Sequence, residues 1–258
     1  MRYLGIGDFI MTEHLKHFER LTLHPLGWTR SAQGNEPLDS SGAPLPWWTY
    51  PAIEFVNSMI SKSDTVFEYG SGNSTLWWQE RVAKVRAVEH DEVWATKVSK
   101  NLRGHNEVAF RGRSTDTESD PTLITYKSSN PRIQFPYDAQ KIERRGLLDS
   151  EYLDYAKEIT THGEKYDWIV IDGMCRRLCP LFAVKFLKED GIIIFDNSNR
   201  SDYKEGYEYL INQGFYQIRF SGSVPGAAFP STTSIFIRSL KALNKITFEP
   251  SLFGIPEY

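Results

Sequence analysis

Short apolar runs alternate with longer stretches of mixed polarity from residue 64 onward. A continuous run of Val, Ile, Phe and Trp leaves no polar face for solvent, so these runs indicate strands that are covered on both faces. The stretches between them have helical periodicity. The predicted strands are residues 65–69, 85–89, 107–111, 166–172, 191–196, 216–222 and 232–238, and the predicted helices are residues 51–60, 74–82, 92–101 and 177–188.

This alternation predicts an α/β fold, a three-layer, Rossmann-like, doubly wound sheet of about seven strands, most of them parallel. The last two strands are joined by a loop with Pro and Gly but no helix, so the last strand is expected to be antiparallel. Residues 1–50 lie outside the pattern and are interpreted as an N-terminal extension packed on the main domain, residues 51–258. The polar stretch 112–150 is too long for an ordinary connection and predicts a functional or mobile insertion.

Composition narrows the expected partners. The net charge of −3 gives no strong field for nucleic acid. The sequence has no apolar run of about eighteen residues, and its start lacks a signal-peptide core. Its two cysteines, Cys175 and Cys179, cannot form a disulfide framework. We therefore expect a cytoplasmic protein without nucleic-acid or membrane partners, while a homo-oligomer stays open.

The first predicted strand ends in a glycine turn, Glu68-Tyr69-Gly70-Ser71-Gly72, followed by Asn73 and Ser74. Its glycines allow a tight turn and let a ligand approach the backbone. In open α/β sheets, ligands bind at the carboxyl ends of the strands. A dinucleotide site would have a third glycine where Thr75 stands, and the anionic Glu68 suits an ammonium group better than a pyrophosphate. A purely structural turn is the alternative.

Glu89 ends the second strand, nineteen positions after Gly70. An acidic side chain at that place accepts hydrogen bonds from the ribose hydroxyls of an adenosine. His90 and Asp91 follow it, and one or the other is predicted to lie beside the adenosine. The alternative is a surface carboxylate at a strand end.

These segments resemble a known family. Glu68-Tyr69-Gly70-Ser71-Gly72 resembles motif I of class I S-adenosylmethionine (SAM)-dependent methyltransferases, and Val88-Glu89 looks like their second motif, over roughly residues 50–240. Ser74 stands in place of the third glycine of motif I. The resemblance implies SAM as the cofactor, bound by Glu68, Tyr69, Gly70, Ser71, Gly72, Asn73, Ser74, Glu89, His90 and Asp172.

Carboxylates follow the fourth and fifth strands, where Asp172 and the pair Asp196-Asn197 should meet at the same sheet edge. Their hard oxygen atoms suit Mg²⁺ or another divalent cation. The arrangement is similar to metal-dependent O-methyltransferases of the catechol and caffeoyl-CoA type. That resemblance implies Asp172, Asp196 and Asn197 as catalytic residues and metal ligands. Without a metal, Asp172 would act as the general base and Asn197 would orient the substrate.

Two features of the acceptor side stay open. Met174-Cys175-Arg176-Arg177 stands where the catechol-type enzymes have a lysine, which leaves the base undecided. The two arginines are interpreted either as charges for a substrate carboxylate or phosphate, or as a solvated helix start. The aromatic cluster of Trp47, Trp48 and Tyr50 predicts either core packing or a wall over the acceptor.

The sequence thus predicts an enzyme that transfers a methyl group from SAM to an oxygen, less readily a nitrogen, of a small molecule or sugar, with or without a divalent metal. The alternatives are a nicotinamide-dependent Rossmann oxidoreductase and a non-catalytic SAM-binding protein.

Overall fold

The computed structural model describes residues 6–114, 149–247 and 252–253. In these ranges seven strands form one sheet. Most of the predicted insertion at 112–150 lies outside the described residues, so its role stays a prediction. The strands are β1 (Thr65–Tyr69), β2 (Lys84–Glu89), β3 (Glu107–Phe110), β4 (Tyr166–Ile171), β5 (Leu187–Phe195), β6 (Tyr216–Gly222) and β7 (Ser231–Ile237).

The strand order across the sheet is β3-β2-β1-β4-β5-β7-β6. Strands β1 to β5 are parallel, and β7 is antiparallel to both β5 and β6. This confirms the predicted doubly wound sheet with an antiparallel last strand. The chain runs outward from β1 to β3 and then returns to β4, so the order reverses between β1 and β4, the point where such sheets bind ligands.

Helices cover the sheet, and every predicted helix is present. Each of the four ends two or three residues earlier than predicted. The helix predicted over 74–82 ends in a tighter turn, where Arg81 N donates to Trp78 O at 2.8 Å, and the helix predicted over 177–188 ends where β5 begins at Leu187. No helix in the described part of the chain is long and apolar enough to cross a membrane. The α-helices are α1 (Ile6–Phe18), α2 (Trp28–Gly34), α3 (Tyr50–Asn57), α4 (Asn73–Gln79), α5 (Glu92–Ser99), α6 (Leu153–Lys157), α7 (Cys179–Phe186) and α8 (Lys204–Asn212).

The core has two apolar clusters, one on each face of the sheet. Successive strand residues point to opposite faces, so Ile169 and Ile171 of β4 belong to one cluster and Trp168 and Val170 to the other. The first cluster packs against α6 and α7, and the second against α3 and α4. This explains why the strands have no polar face and gives the three layers predicted from the sequence.

Part of the predicted N-terminal extension is tied to the sheet. The indole nitrogens of Trp28 and Trp47 donate to the carbonyls of Ala227 (3.1 Å) and Pro225 (2.8 Å), in the loop between β6 and β7. Trp48 is fully buried among the aromatic rings of the second core cluster. The contacts of these residues agree with an extension packed on the main domain, although the boundary at residue 50 stays a prediction.

The ends of β1 and β4 approach each other through two glycines. Gly70 has a φ of +99°, in the left-handed region that favours glycine. A Cβ on Gly173 would lie 2.8 Å from Gly70 Cα and would also collide with the hydroxyl of Tyr155. The two strand ends therefore meet with no room for a side chain, and this close approach fixes the relative position of the two loops.

We expect Gly173→Ala to lower the free energy of unfolding by about 1–3 kcal/mol, because the added methyl overpacks a backbone contact. Urea denaturation measures the loss. Gly34→Ala is the matched control, since a Cβ on Gly34 meets nothing within 4 Å. Equal stability of the two variants would contradict the tight contact between the loops.

Candidate active site

Two adjoining cavities open at the carboxyl ends of the strands. The smaller, about 360 Å³, lies at the glycine turn, and the larger, about 660 Å³, lies beside it. Four residues line both, namely Ser71, Ser74, Trp94 and Asp172. We call the smaller one the turn cavity and the larger one the outer cavity.

The predicted cofactor residues mostly converge on these cavities. Gly72 and Asn73 line the outer cavity, and seven of the others line the turn cavity. The exception is Tyr69, whose ring packs in the core and whose hydroxyl donates to Ala156 O at 3.0 Å. The seven are Glu68, Gly70, Ser71, Ser74, Glu89, His90 and Asp172.

Glu68 is fully buried at the base of the turn cavity. Its Oε2 accepts a hydrogen bond from Thr75 Oγ1 at 2.5 Å, and the same hydroxyl accepts from Gly72 N at 3.0 Å. Its Oε1 has no hydrogen-bond partner among the described residues. Thr75 therefore links the turn to this carboxyl. From the sequence it was noted only because a dinucleotide site would have a glycine at this position.

Burial raises the pKa of Glu68 to about 8, although the hydroxyls of Ser74 and Thr75 act in the opposite direction. The charges of Asp172 and Glu89 raise it further. The expectation of an anion at this position is therefore wrong for the free protein near neutral pH, where the carboxyl keeps its proton. A cation placed against Oε1 would supply the missing partner and favour the ionised form.

Glu89 is also buried, but its oxygens have partners. Oε2 accepts from the backbone nitrogen of Ser71 at 3.0 Å and from its hydroxyl at 3.2 Å, while Oε1 accepts from His90 N at 2.8 Å and Asp91 N at 3.1 Å. Although burial alone would raise the pKa of Glu89, these bonds and the nearby His90 ring lower it. Glu89 is thus an anion that holds the glycine turn against the end of β2.

His90 lies beside this anion, with Nδ1 2.7 Å from Glu89 Oε1. The contact with Glu89 raises the pKa of the imidazole, although partial burial opposes it. The ring stands edge-on to Tyr152 at a centroid distance of 6.0 Å. His90 therefore adds a polar, partly aromatic wall to the turn cavity at the position predicted for the adenosine.

Asp172 and Asp196 meet at the sheet edge because the ladder of β1, β4 and β5 continues past the strand ends. Asp172 N donates to Tyr69 O at 3.0 Å, and Asp196 N donates to Ile171 O at 3.2 Å. Asn197 follows, and its Nδ2 donates to Asp196 Oδ2 at 2.6 Å. The three predicted catalytic residues are thus brought together.

Arg176 lies between these residues with only 8% of its surface exposed. Its Nη2 is 2.9 Å from Asp172 Oδ1, and its Nη1 donates to Asp196 O at 2.7 Å and to Asn197 Oδ1 at 3.3 Å. Nη2 also donates to Asp172 O at 2.5 Å, and Nε to Gly173 O at 3.0 Å. The interpretation of Arg176 as part of a solvated helix start is therefore wrong.

The three charged groups perturb each other. Burial raises the pKa of Asp172 against the attraction of Arg176, and burial together with the charge of Asp172 raises the pKa of Asp196 to about 7. Burial lowers the pKa of Arg176, but the two carboxylates outweigh it and raise that pKa. The guanidinium stays charged, while the carboxyl of Asp196 is placed to change its protonation near neutral pH.

The aromatic cluster before α3 divides between core and cavity. Trp48 and Tyr50 are buried, and Trp48 Nε1 donates to Asp172 Oδ2 at 3.2 Å. Trp47 is 47% exposed and lines the outer cavity. Core packing is thus confirmed for Trp48 and Tyr50, while a wall over the acceptor stays a prediction for Trp47.

Parts of the outer cavity come from segments that the sequence analysis did not mark. The loop between β6 and β7 contributes Phe229, which is 70% exposed, and the extension contributes Asn35. Asn199 and Arg200 follow β5. No local pattern marks these residues, because they reach the cavity only through long-range packing.

The predicted metal ligands have two carboxylates and one amide. Among the described residues no group of three or more His, Cys, Asp or Glu side chains is placed to hold a metal ion. A site made of two carboxylates and an amide would not be such a group, so the divalent cation stays a prediction.

No family model and no curated protein matches this chain. Among solved structures it is similar to an O-methyltransferase from Streptomyces achromogenes involved in tomaymycin synthesis, in complex with SAM (10% identity, 86% of this chain, 93% of that chain, TM-score 0.47). It is also similar to a putative O-methyltransferase from Klebsiella pneumoniae (12% identity, 84% of this chain, 89% of that chain, TM-score 0.46). A third similar structure is an O-methyltransferase from Bacillus cereus in complex with S-adenosylhomocysteine (SAH), with 15% identity over 86% of this chain and 96% of that chain and a TM-score of 0.45. At these identities and TM-scores the likeness carries no functional argument, and function is inferred from the site itself.

The raised pKa of Glu68 predicts a pH dependence of stability. Between the usual carboxyl pKa of 4.5 and about 8, the folded chain keeps a proton that the unfolded chain has lost. The free energy of unfolding should therefore fall as pH rises through this window, by at most about 1.4 kcal/mol per pH unit from this group. Glu68→Gln removes the titrating group. The difference in free energy of unfolding between the wild type and the variant should therefore fall as pH rises.

Urea denaturation of both proteins across this range of pH measures the difference. A constant offset from the substitution does not matter, because only the slope with pH is compared. Parallel curves for the two proteins would show that Glu68 titrates alike in the folded and unfolded chain.

Proposed function

We propose that this chain is a SAM-dependent methyltransferase that transfers a methyl group to a hydroxyl oxygen of a small molecule or sugar. The observation that carries the proposal is the pair of adjoining cavities with Asp172 in the wall between them. One cavity ends at the buried carboxyl of Glu68, whose Oε1 has no hydrogen-bond partner among the described residues, and the other has polar and aromatic walls. Such an arrangement suits the meeting of a cationic donor with an uncharged acceptor.

The turn cavity fits SAM in two ways. The unpartnered Oε1 of Glu68 would accept a hydrogen bond from the ammonium group of the methionine part. Glu89 would hold the ribose. The ribose hydroxyls would donate to Glu89 Oε2 in place of Ser71 Oγ, whose hydrogen bond is the longer one at 3.2 Å. His90 would lie beside the adenosine. The glycine turn leaves the backbone open to the ligand at Gly70 and Gly72.

Asp172 is the residue that would take the proton of the acceptor. Its side chain is 20% exposed, against 3% for Asp196, and it lines both cavities. The raised pKa of Asp172 makes its carboxylate a stronger base than an ordinary aspartate. Asn197 lines the outer cavity and would orient the acceptor.

When bound, SAM supplies an activated methyl group, whose bond to sulfur breaks as the new carbon–oxygen bond forms and leaves SAH. The chain would hold donor and acceptor in line across the wall at Asp172, which converts an encounter of two molecules into a step within one complex. The proton of the hydroxyl goes to the carboxylate of Asp172.

The walls of the outer cavity support a hydroxylated acceptor. Asn35 and Asn199 line it, and an asparagine amide both donates and accepts hydrogen bonds, as a hydroxyl requires. The exposed rings of Trp47 and Phe229 offer apolar faces for the carbon skeleton of a sugar or a ring compound. Arg176 is not available for a carboxylate or phosphate on the acceptor, because it already directs its donors at protein oxygens.

The rival classes make different predictions for binding. A nicotinamide dinucleotide would bring a pyrophosphate to the turn, where Thr75 holds Gly72 N and the buried carboxyl of Glu68. A non-catalytic binding protein would bind SAM without turnover. We therefore expect SAM and SAH, and not NAD, to bind in calorimetric titrations, and candidate sugars and phenols to yield SAH in a turnover assay.

Glu89→Ala should weaken SAH binding at least tenfold, because it removes charge-assisted hydrogen bonds worth about 1.5–3 kcal/mol each. Isothermal titration calorimetry measures the affinity. The matched control is Glu92→Ala, an exposed carboxylate at the start of α5 that should leave the affinity unchanged. Circular dichroism checks that both variants fold, and unchanged SAH affinity in a folded Glu89→Ala would rule out the ribose contact.

A further inference from the structure

The side-chain oxygens at the ends of β4 and β5 are already engaged by protein groups. All five side-chain oxygens of Asp172, Asp196 and Asn197 have polar partners. Asp172 Oδ1 contacts Arg176 and Oδ2 accepts from Trp48. Asp196 Oδ1 accepts from Thr233 Oγ1 at 2.6 Å. A divalent cation would have to displace the guanidinium of Arg176, which lies 2.9 Å from Asp172 Oδ1 and 3.3 Å from Asn197 Oδ1, so the residues present do not fit it.

The guanidinium of Arg176 is equally committed. A guanidinium has five N–H donors. Arg176 makes five contacts to oxygen within 3.3 Å, at Asp172 O and Oδ1, Gly173 O, Asp196 O and Asn197 Oδ1. Nη1 also lies 4.0 Å from Asp196 Oδ2. The guanidinium thus holds the same side chains that a metal ion would hold.

The backbone around Arg176 is shaped for this position. Cys175 has a φ of 42° and Asn197 a φ of 53°, two of the few non-glycine residues with positive φ in the described ranges. Such conformations cost free energy and persist where the surroundings enforce them. The turn at Cys175 places Arg176 next to the strand ends, and the turn at Asn197 directs that side chain toward Arg176. Tyr203 covers the guanidinium carbon at 4.9 Å from its ring centroid.

We propose that Arg176 is the built-in cation of this site, a positioning residue that holds Asp172, Asp196 and Asn197 in place of a divalent metal. The inference deepens the proposed function and rests on it for the catalytic meaning of Asp172. Arg176 neutralises part of the charge of the two carboxylates and fixes one oxygen of Asp172. Methyl transfer by this chain then needs no added metal.

The test is Mn²⁺ binding by the full chain, followed by the electron paramagnetic resonance of free Mn²⁺. The wild type should bind no Mn²⁺ at this site. Arg176→Met removes the charge at similar length and should bind one Mn²⁺ per chain. Arg176→Lys keeps a cation and should again bind none, a pattern that a merely structural arginine would not produce.

One Mn²⁺ per wild-type chain that is lost in Asp196→Asn would overturn the proposal. So would a folded Arg176→Met that binds no Mn²⁺. If that variant fails to fold, the comparison of wild type with Asp196→Asn decides alone. The measurement needs no SAM, so its result is separate from the calorimetric test of the proposed function.

Discussion

The main constraint on this molecule comes from two neighbouring aspartates at the ends of parallel strands, Asp196, which is buried, and Asp172, which is partly buried. Removing two like charges from water is costly unless an opposite charge accompanies them. Arg176 supplies that charge four residues after Asp172, and its contacts reach the residue that follows β4 and the two residues that follow β5. The left-handed conformation of Cys175 and the missing side chain at Gly173 then follow as conditions for this placement.

In the turn cavity, the burial of carboxyl groups is compensated in a different way. Glu68 is buried without a cation nearby, so it keeps a proton, whereas Glu89 stays ionised because backbone nitrogens and a histidine surround it. The turn cavity therefore presents one neutral carboxyl that awaits a positive group and one anion. An ammonium at Glu68 and hydroxyls at Glu89 would satisfy both, which is the polarity expected of the amino-acid and ribose parts of SAM.

The sequence predicted the sheet because strand periodicity and strand–helix alternation are local properties. Asp172 and Asp196 could be predicted to converge because parallel strands end at one edge. Arg176 could not be assigned its position, since this depends on the turn at Cys175 and on oxygens from another strand. The protonation of Glu68 was equally out of reach, because burial is set by the whole fold. Phe229 and Asn35 approach the outer cavity only through packing.

The two halves of the site are coupled through the contact between Gly70 and Gly173. The donor would be held by the turn after β1, and the proposed base stands immediately before Gly173 at the end of β4. Because the backbones touch without intervening side chains, the distance between donor and base is set by main-chain packing, which flexes little. Asp172 is further held by Arg176 and Trp48. Such rigidity suits an in-line transfer, where the reacting atoms must be aligned closely and the protein supplies mainly position.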